Sequence, residues 1–232
     1  MKKKKIKFAI DDQLWDINIP KPSKSYLPEW FKNTERLYDL GSDNPSNQGK
    51  TFKVCMPFTD SFISGYMFEL WADLQVVDTE GIKSVYWKDE GYQVLTSRDA
   101  GQTGKMTLPA GYSQQHFALR HPLFIKTPPG YSILITQPFN RFDLPFHSLT
   151  AVIDTDKTPF FPGNFSLFIK EDFEGLIPVG TPLFQIIPFK RDSWTHERDD
   201  KIIKEGWFGS NKSGRQFLGW YRDNVWSKKS YE

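Results

Sequence analysis

The sequence has only one cysteine and no long apolar run, and each shortage excludes a class of protein. Cys55 has no second cysteine with which to form a disulfide within the chain, so this is not a disulfide-stapled fold. It lies in TFKVCMPF, an apolar run that predicts a buried strand and a structural cysteine rather than a nucleophile. No stretch approaches the roughly eighteen apolar residues of a membrane-spanning helix, so no membrane partner is expected.

Histidine is also scarce, and its four copies are scattered along the chain. They are His116, His121, His147 and His196. None of the spacings matches HxH, HxD or HExxH, so the sequence predicts no metal centre. A cupin-like metal-dependent oxygenase would need a metal triad from the first three, which this spacing does not supply.

The first ten residues, MKKKKIKFAI, place a lysine run before a few apolar residues. Lys7 interrupts the apolar residues, and Asp11 and Asp12 end them, so the apolar core of a secretory signal is missing. We therefore expect the protein in a reducing cytoplasm or in a particle assembled there, and not exported by a signal of its own.

Basic and acidic side chains are nearly equal in number, while aromatic residues are abundant. Thirty basic and 28 acidic side chains leave a net charge of +2, which gives no strong nucleic-acid or membrane signal. Hydrophobic residues make up only 38% of the chain, but 16% of it is aromatic, and aromatic side chains bury large areas. The chain can therefore form a core despite a mean hydropathy of -0.53.

The composition divides the chain into three parts that we expect to form one domain. Residues 1–50 are rich in proline and turn residues and predict an irregular N-terminal arm, with one short helix in WFKNTERLYDL. Residues 51–194 contain short β-branched and aromatic runs separated by turn residues, which predicts a mainly β, jelly-roll-like or β-clip-like barrel or sandwich. Residues 195–232 predict a helical C-terminal tail.

The β-rich part offers ten candidate strands and several turns. The candidates are TFKVCM, MFELWADLQVV, IKSVYWK, YQVLTS, FALR, LFIKT, YSILITQ, LTAVID, FSLFIK and LFQIIPF. KDEGYQ predicts a hairpin turn between IKSVYWK and YQVLTS, and the Pro-Gly pair before Tyr131 predicts a type II turn with Gly130 at positive φ. In the tail, GWFGSNKSGR predicts a loop between two helices.

Several motifs resemble an uncharacterised protein family of tailed phages, particularly T4-like marine phages. They are LPEWFK at Leu27–Lys32, KVCMPFTDSFISGY at Lys53–Tyr66, TPPGYS at Thr127–Ser132, QPFNRFDLPF at Gln137–Phe146, VIDTD at Val152–Asp156 and GTPLFQIIPFKRDSW at Gly180–Trp194. The resemblance covers most of the chain. It implies a phage protein located in the host cytoplasm or the virion, and it implies no particular activity.

In architecture the chain is similar to the dUTPase and dCTP-deaminase group, because PPGYSILI, AVIDTD and PVGTPLFQIIPF follow one another as in that barrel. This similarity implies nucleotide binding, with hydrolysis or deamination at Asp154 or Asp156. Arg141 and Lys190 would then lie near phosphates, with Mg²⁺ as a helper. The chain departs from that pattern in two places: Asn140-Arg141 has no adjoining serine, and no tyrosine-arginine-glycine continuation follows VIDTD.

Asp154 and Asp156 are the first candidate ligand-binding pair. On one strand, positions i and i+2 would place both carboxylates on the same face, where they could hold a cation or raise each other's pKa. The alternative, which we favour, is a strand-to-turn junction, because Asp, Thr and Lys before a proline commonly bond to nearby backbone groups.

Two further charged groups are candidates. Arg141 and Asp143 stand two residues apart among aromatic neighbours and could clamp an anion, although an internal salt bridge is the favoured interpretation. The basic pair Lys190 and Arg191 could contact a phosphate, and the nearby Trp194 could stack on a base. Two charges are, however, more typical of solvent-exposed residues at the edge of a barrel.

Taken together, these patterns favour a non-enzymatic phage-type binding or assembly protein. The sequence has no recognisable catalytic constellation, and its extended segments carry apolar rings, which form interaction surfaces where nothing covers them. Its expected partners are further copies of itself or other phage proteins. The nucleotide-handling enzyme and the cupin-like oxygenase are the alternatives.

Overall fold

The computed structural model describes residues 4–14, 16–41, 48–88, 91–159, 163–215 and 218–232. Trp15 and Phe217 lie outside the described residues, as do Asp89 and Glu90 of the predicted hairpin turn.

The described residues form a mainly β structure with short helices near both ends of the chain, as the sequence predicts. The strands are β1 (Lys7–Ile10), β2 (Lys21–Pro22), β3 (Leu37–Asp39), β4 (Gln48–Lys50), β5 (Tyr66–Glu69), β6 (Leu74–Thr79), β7 (Ile82–Tyr86), β8 (Leu95–Ser97), β9 (Tyr112–His121), β10 (Leu123–Lys126), β11 (Tyr131–Thr136), β12 (Phe146–Ser148), β13 (Ala151–Ile153), β14 (Gly163–Lys170), β15 (Gly175–Ile177) and β16 (Pro182–Lys190). The α-helices are α1 (Glu29–Asn33), α2 (Met56–Ile63), α3 (Ile202–Arg215) and α4 (Trp220–Asn224). No described helix has the length and apolar content that a transmembrane span requires.

The strands pair in antiparallel fashion into several sheets. The largest has the order β13-β11-β16-β5-β2, a second has β12-β14-β9-β8, and a third has β15-β6-β7. Two-stranded pairs join β1 to β10 and β3 to β4. Antiparallel sheets can bury one face and leave the other in water, so this arrangement is consistent with an open sandwich.

Aromatic rings join the two largest sheets across the core. The ring of Phe184 on β16 lies 4.9 Å from that of Phe165 on β14, across the two sheets, and 5.2 Å from that of its neighbour Phe68 on β5, within its own sheet. Fully burying a phenylalanine side chain contributes about 1.5–3 kcal/mol, so the Phe184–Phe165 contact helps to hold the two sheets together. Aromatic side chains thus share the core with buried Leu, Ile and Val side chains.

The N-terminal segment forms short strands, turns and one short helix, and it packs against this core. Ile6, Phe8 and Ile17 contact the buried cluster, and β1 adds to the edge of β10. Tyr26 donates to the Glu69 carboxylate at 2.5 Å, which ties the arm to β5. The short helix predicted in this segment begins at Glu29 and ends at Asn33, after which the chain turns into β3.

The predicted buried strand over Thr51–Met56 is wrong. Phe52–Val54 form a 3-10 turn, in which the Thr51 side chain accepts from the Lys53 N–H, and α2 begins at Met56. The prediction failed because Pro57 lies in the first turn of a helix, where a missing N–H costs nothing and the fixed φ favours the helix. Cys55 is exposed rather than buried.

The predicted hairpin between IKSVYWK and YQVLTS is also wrong, because β7 pairs with β6 and β8 pairs with β9. The hairpin of this region lies one strand earlier, where Thr79 stands opposite Ile82. Glu80 and Gly81 both have positive φ, as the tight two-residue turn of a hairpin requires.

The C-terminal tail contains the two predicted helices, but their connection lies later than predicted. The GWFGSNKSGR segment belongs to α3, which continues to Arg215. Glycine weakens a helix, so this sequence favours a loop by propensity alone. Gly209 nevertheless faces the ring of Trp220 in α4, where an added Cβ would lie 3.6 Å from the ring.

Candidate functional site

The two candidate aspartates lie just beyond the end of a strand rather than on it. Strand β13 ends at Ile153, and the chain then turns. Asp154 Oδ1 accepts from Ser132 Oγ at 2.5 Å and from Arg191 Nη1 at 3.1 Å. The carboxylate therefore bonds to β11 and to the end of β16 instead of to its own backbone.

Asp156 is held more completely than Asp154. Its carboxylate accepts from the Gly130 N–H at 2.8 Å and from Arg191 Nη1 at 2.8 Å, and Arg191 Nη2 makes a second, parallel bond. Only 5% of the Asp156 side chain is exposed, compared with 57% of the Asp154 side chain. We call these residues, Asp154, Asp156 and Arg191, the carboxylate–arginine cluster.

The cluster keeps both carboxylates ionised. The Ser132 hydroxyl, followed by Arg191, lowers the pKa of Asp154, and the Arg191 guanidinium, followed by the Gly130 N–H, lowers the pKa of Asp156. Neither group can act as a general acid at neutral pH, because that role requires a raised pKa.

The cluster fastens a turn whose shape the sequence predicts. Gly130 has a φ of 81°, and the Tyr131 N–H donates to the Pro128 carbonyl at 3.2 Å, so the predicted positive φ is confirmed. Thr127 Oγ1 bonds to the Tyr131 carbonyl and lies 2.8 Å from Thr155 Oγ1. Side-chain contacts therefore join this turn to the turn that carries the aspartates.

The structure shows the predicted contact between Arg141 and Asp143 as an internal ion pair. Arg141 Nε and Nη2 donate to the Asp143 carboxylate at 2.8 and 2.7 Å, and Nη1 reaches the Tyr26 carbonyl at 3.3 Å. This bidentate pairing lowers the pKa of Asp143 despite its partial burial. The guanidinium is thus occupied by partners from its own chain.

Arg141 and the carboxylate–arginine cluster lie at opposite ends of β11. Gly130 precedes the first residue of β11, whereas Arg141 follows its last residue, Thr136. A six-residue strand spans roughly 20 Å, so the structure does not bring these candidates together.

Lys190 lies at the same end of β11 as the cluster. Lys190 is the β16 partner of Tyr131, and its ammonium donates to Asp192 at 2.5 Å. Trp194 follows in an exposed segment, and 86% of its surface is open to solvent.

The central residue of the site is Arg191, which the local sequence shows only as one half of a basic pair. Its role depends on the pairing of β11 with β16, two strands that are far apart in the sequence.

The four histidines do not form a metal centre. Within the described ranges, no three His, Cys, Asp or Glu side chains come together as a metal-ligand group. His121 is fully buried on β9, its Nδ1 accepts from the Leu123 N–H at 3.3 Å, and burial lowers its pKa to about 4.

Helix α3 carries a second candidate site, an exposed apolar surface. We define the α3 apolar surface by four side chains that are each at least half exposed: Ile202, Ile203, Trp207 and Phe208. The Lys212 ammonium lies 4.3 Å from the centre of the Phe208 ring. Ile203 and Trp207 stand four residues apart and so share one face of α3, where their exposure indicates a binding surface.

The chain returns from α3 and α4 to the β structure through an anchored tail. Trp226 Nε1 donates to the Asp60 carboxylate at 2.9 Å, and Lys229 Nζ donates to it at 2.6 Å. The Tyr231 ring then packs edge-on against Tyr66 at 5.9 Å. The segment that carries α3 is therefore fastened at both ends, by Arg191 before it and by Trp226 after it.

A comparison with protein-family models finds no match, and neither does a comparison with curated proteins.

Proposed function

We propose that this protein is a non-enzymatic binding or assembly protein of a phage type that associates with further copies of itself through the α3 apolar surface. One observation carries the proposal: Ile202, Ile203, Trp207 and Phe208 are exposed on one helix. Burying such a side chain contributes about 1.5–3 kcal/mol, so covering several of them can drive association.

The attachment of α3 supports this role. The cluster around Arg191 and the bond between Trp226 and Asp60 hold the two ends of the segment. A helix already formed and held loses less conformational freedom on binding than a disordered segment, so more of the apolar burial is available for affinity.

The charged candidates favour binding over catalysis. A nucleotide hydrolase would place Asp154 or Asp156 at the reactive end and use Arg141 and Lys190 for phosphates. Here Arg141 pairs with Asp143 and Lys190 pairs with Asp192. The two aspartates share Arg191, which leaves them poorly suited to hold Mg²⁺ or to activate water.

The proposal is tested with the double variant Ile203→Gln/Trp207→Gln, analysed by multi-angle light scattering over a wide concentration range. We expect the wild-type chain to show a mass that is a multiple of 27.0 kDa and the variant to shift towards the monomer. The melting temperature of the dissociated variant should stay within a few degrees, because exposed substitutions usually change stability by at most about 0.5 kcal/mol.

The matched control is Ile82→Gln/Tyr86→Gln, which removes two equally exposed apolar side chains from β7. It should assemble as the wild type does. A wild-type chain that remains at 27.0 kDa at every concentration would contradict self-association, as would an α3 variant that assembles normally.

A further inference from the structure

Three basic side chains from distant parts of the sequence line one cleft between the N-terminal arm and α4. The cleft has a volume of about 300 Å³. Its lining residues are Arg36, Lys53, Val54, Met56, Leu218, Gly219, Tyr221 and Arg222. None of them is acidic, so the lining carries three positive charges and no negative one. We call it the cationic cleft.

The positive charges in the cleft are only partly balanced. Among the described residues, the Arg36 side chain has no hydrogen-bond or ion-pair partner. Lys53 Nζ donates to the Lys32 carbonyl at 2.5 Å, a neutral acceptor that leaves its charge uncompensated. Arg222 is the exception, because its Nε and Nη2 donate to Asp223 at 2.7 and 3.3 Å.

The position of Arg222 depends on the glycine before α4. Gly219 has a φ of 86°, and an added Cβ would lie 3.2 Å from Arg222 Nη2 and 3.1 Å from Asp223 Oδ2. The guanidinium therefore lies over the start of α4, where an added Cβ at position 219 would crowd it. This places Arg222 at the cleft, with Nη1 not used in the ion pair.

Like charges that converge in one cleft repel each other, which is electrostatically unfavourable. A bound anion replaces this repulsion with attraction. Two arginines offer planar donor groups suited to the oxygens of a phosphate, and a lysine adds a compact charge.

We propose that the cationic cleft binds a phosphoryl group, supplied either by free phosphate or by the backbone of a nucleic acid. The group would bridge the arm at Arg36, the 3-10 turn at Lys53 and the helix at Arg222, and so stabilise the docking of α4. This site does not involve the α3 apolar surface, so it stands independently of the proposed function.

The test measures binding of inorganic phosphate by isothermal titration calorimetry and by thermal melting, with sodium chloride at equal ionic strength as the reference. We expect phosphate to raise the melting temperature of the wild type above that in chloride. Arg36→Gln and Arg222→Gln should each weaken phosphate binding at least tenfold. Both residues lie at the surface, and melting without phosphate checks that each variant is folded.

The control is Arg198→Gln, because Arg198 pairs with Asp200 on the exposed segment before α3 much as Arg222 pairs with Asp223. It removes the same charge and should leave phosphate affinity unchanged.

A second arm identifies the source of the phosphoryl group with a single-stranded oligonucleotide in fluorescence anisotropy. Binding that phosphate competes away and that Arg36→Gln weakens would assign the cleft to nucleic acid. Binding of phosphate alone would assign it to the free anion. If neither probe binds, or if the two arginine variants bind as tightly as the wild type, the proposal is overturned.

Discussion

Lys83 shows how a single charged residue can lie within a β structure when each of its donors has an acceptor. Only 2% of its side chain is exposed. Its ammonium donates to the Glu171 and Phe173 carbonyls at 2.7 and 3.0 Å and pairs with Asp78 at 2.6 Å. Three acceptors match the three donors of a lysine, so the buried charge is fully bonded and joins β7 to the segment after β14.

Replacing Lys83 should therefore be strongly destabilising. In Lys83→Met the chain length is kept, but two carbonyls and the partly exposed Asp78 carboxylate lose their donor, and each buried acceptor left without a donor costs about 1–3 kcal/mol. Urea unfolding monitored by circular dichroism measures the change. Lys126→Met, at an exposed position on β10, is the control and should stay within about 0.5 kcal/mol. Equal unfolding midpoints for the two variants would show that the Lys83 contacts contribute little.

Residue-level predictions from the sequence succeeded where the cause is local. The positive φ of Gly130 follows from the Pro-Gly pair, and the contact of Arg141 with Asp143 follows from their spacing. The partnership of Arg191 with Asp154 and Asp156 was not predictable, because it depends on which strands lie beside β11.

The carboxylate–arginine cluster acts on the turn before β11, and its contribution should depend on pH. The pKa of Asp156 is lowered in the folded protein, so its contribution to stability is present above the unfolded pKa of about 3.9 and is lost as pH falls through the folded pKa. We expect Asp156→Asn to lower the melting temperature at pH 7 by several degrees. The difference from the wild type should shrink progressively below about pH 4.

The control for this element is Asp192→Asn, which removes the exposed partner of Lys190 and should change the melting temperature little at any pH. A difference between Asp156→Asn and the wild type that stays constant down to pH 2 would contradict an ionic origin.

At the scale of elements, most of the β runs were predictable, but the strand pairing of β7 and two local exceptions were not. The apolar run around Cys55 has strand composition, yet Pro57 starts a helix beside it. The glycines at 206 and 209 favour a loop, yet α3 passes through them and packs against Trp220. In the second case a tertiary contact overrides weak helix propensity, which a single sequence does not reveal.

The whole molecule should lose stability in mild acid because of its buried histidines. The pKa of His121 falls from its ordinary value of 6.5 to about 4, and burial also lowers the pKa of His116 and of His147. Between pH 6.5 and 4 the unfolded chain binds more protons than the folded one, so the free energy of unfolding decreases as pH falls. For His121 alone the loss by pH 4.5 is on the order of 2 kcal/mol.

Urea unfolding at pH 7.0 and 4.5 measures this loss, and His121→Asn isolates its main source. Asparagine offers an oxygen to the Leu123 N–H but does not titrate, so the variant should lose less stability between the two pH values, whatever its stability at pH 7. Equal losses in both proteins would assign the acid sensitivity to other groups.

At the scale of the whole molecule, the sequence predicts the mainly β composition and the positions of arm and tail. It does not predict how the strands divide among sheets, because the β11–β16 and β9–β14 pairs join residues far apart in the chain. The jelly-roll-like or clip-like layout and the three-part division of the chain stay predictions.

The contacts of Arg191 and Trp226 hold both ends of the segment that contains α3. Arg191 fixes the departure point beside Asp156, and Trp226 fixes the return point at Asp60. A segment held at both ends restricts the conformations that α3 can adopt, so the proposed association would cost it less conformational entropy. Releasing either anchor would enlarge that set of conformations, so replacing either of two aspartates remote from the contact surface would weaken the proposed association.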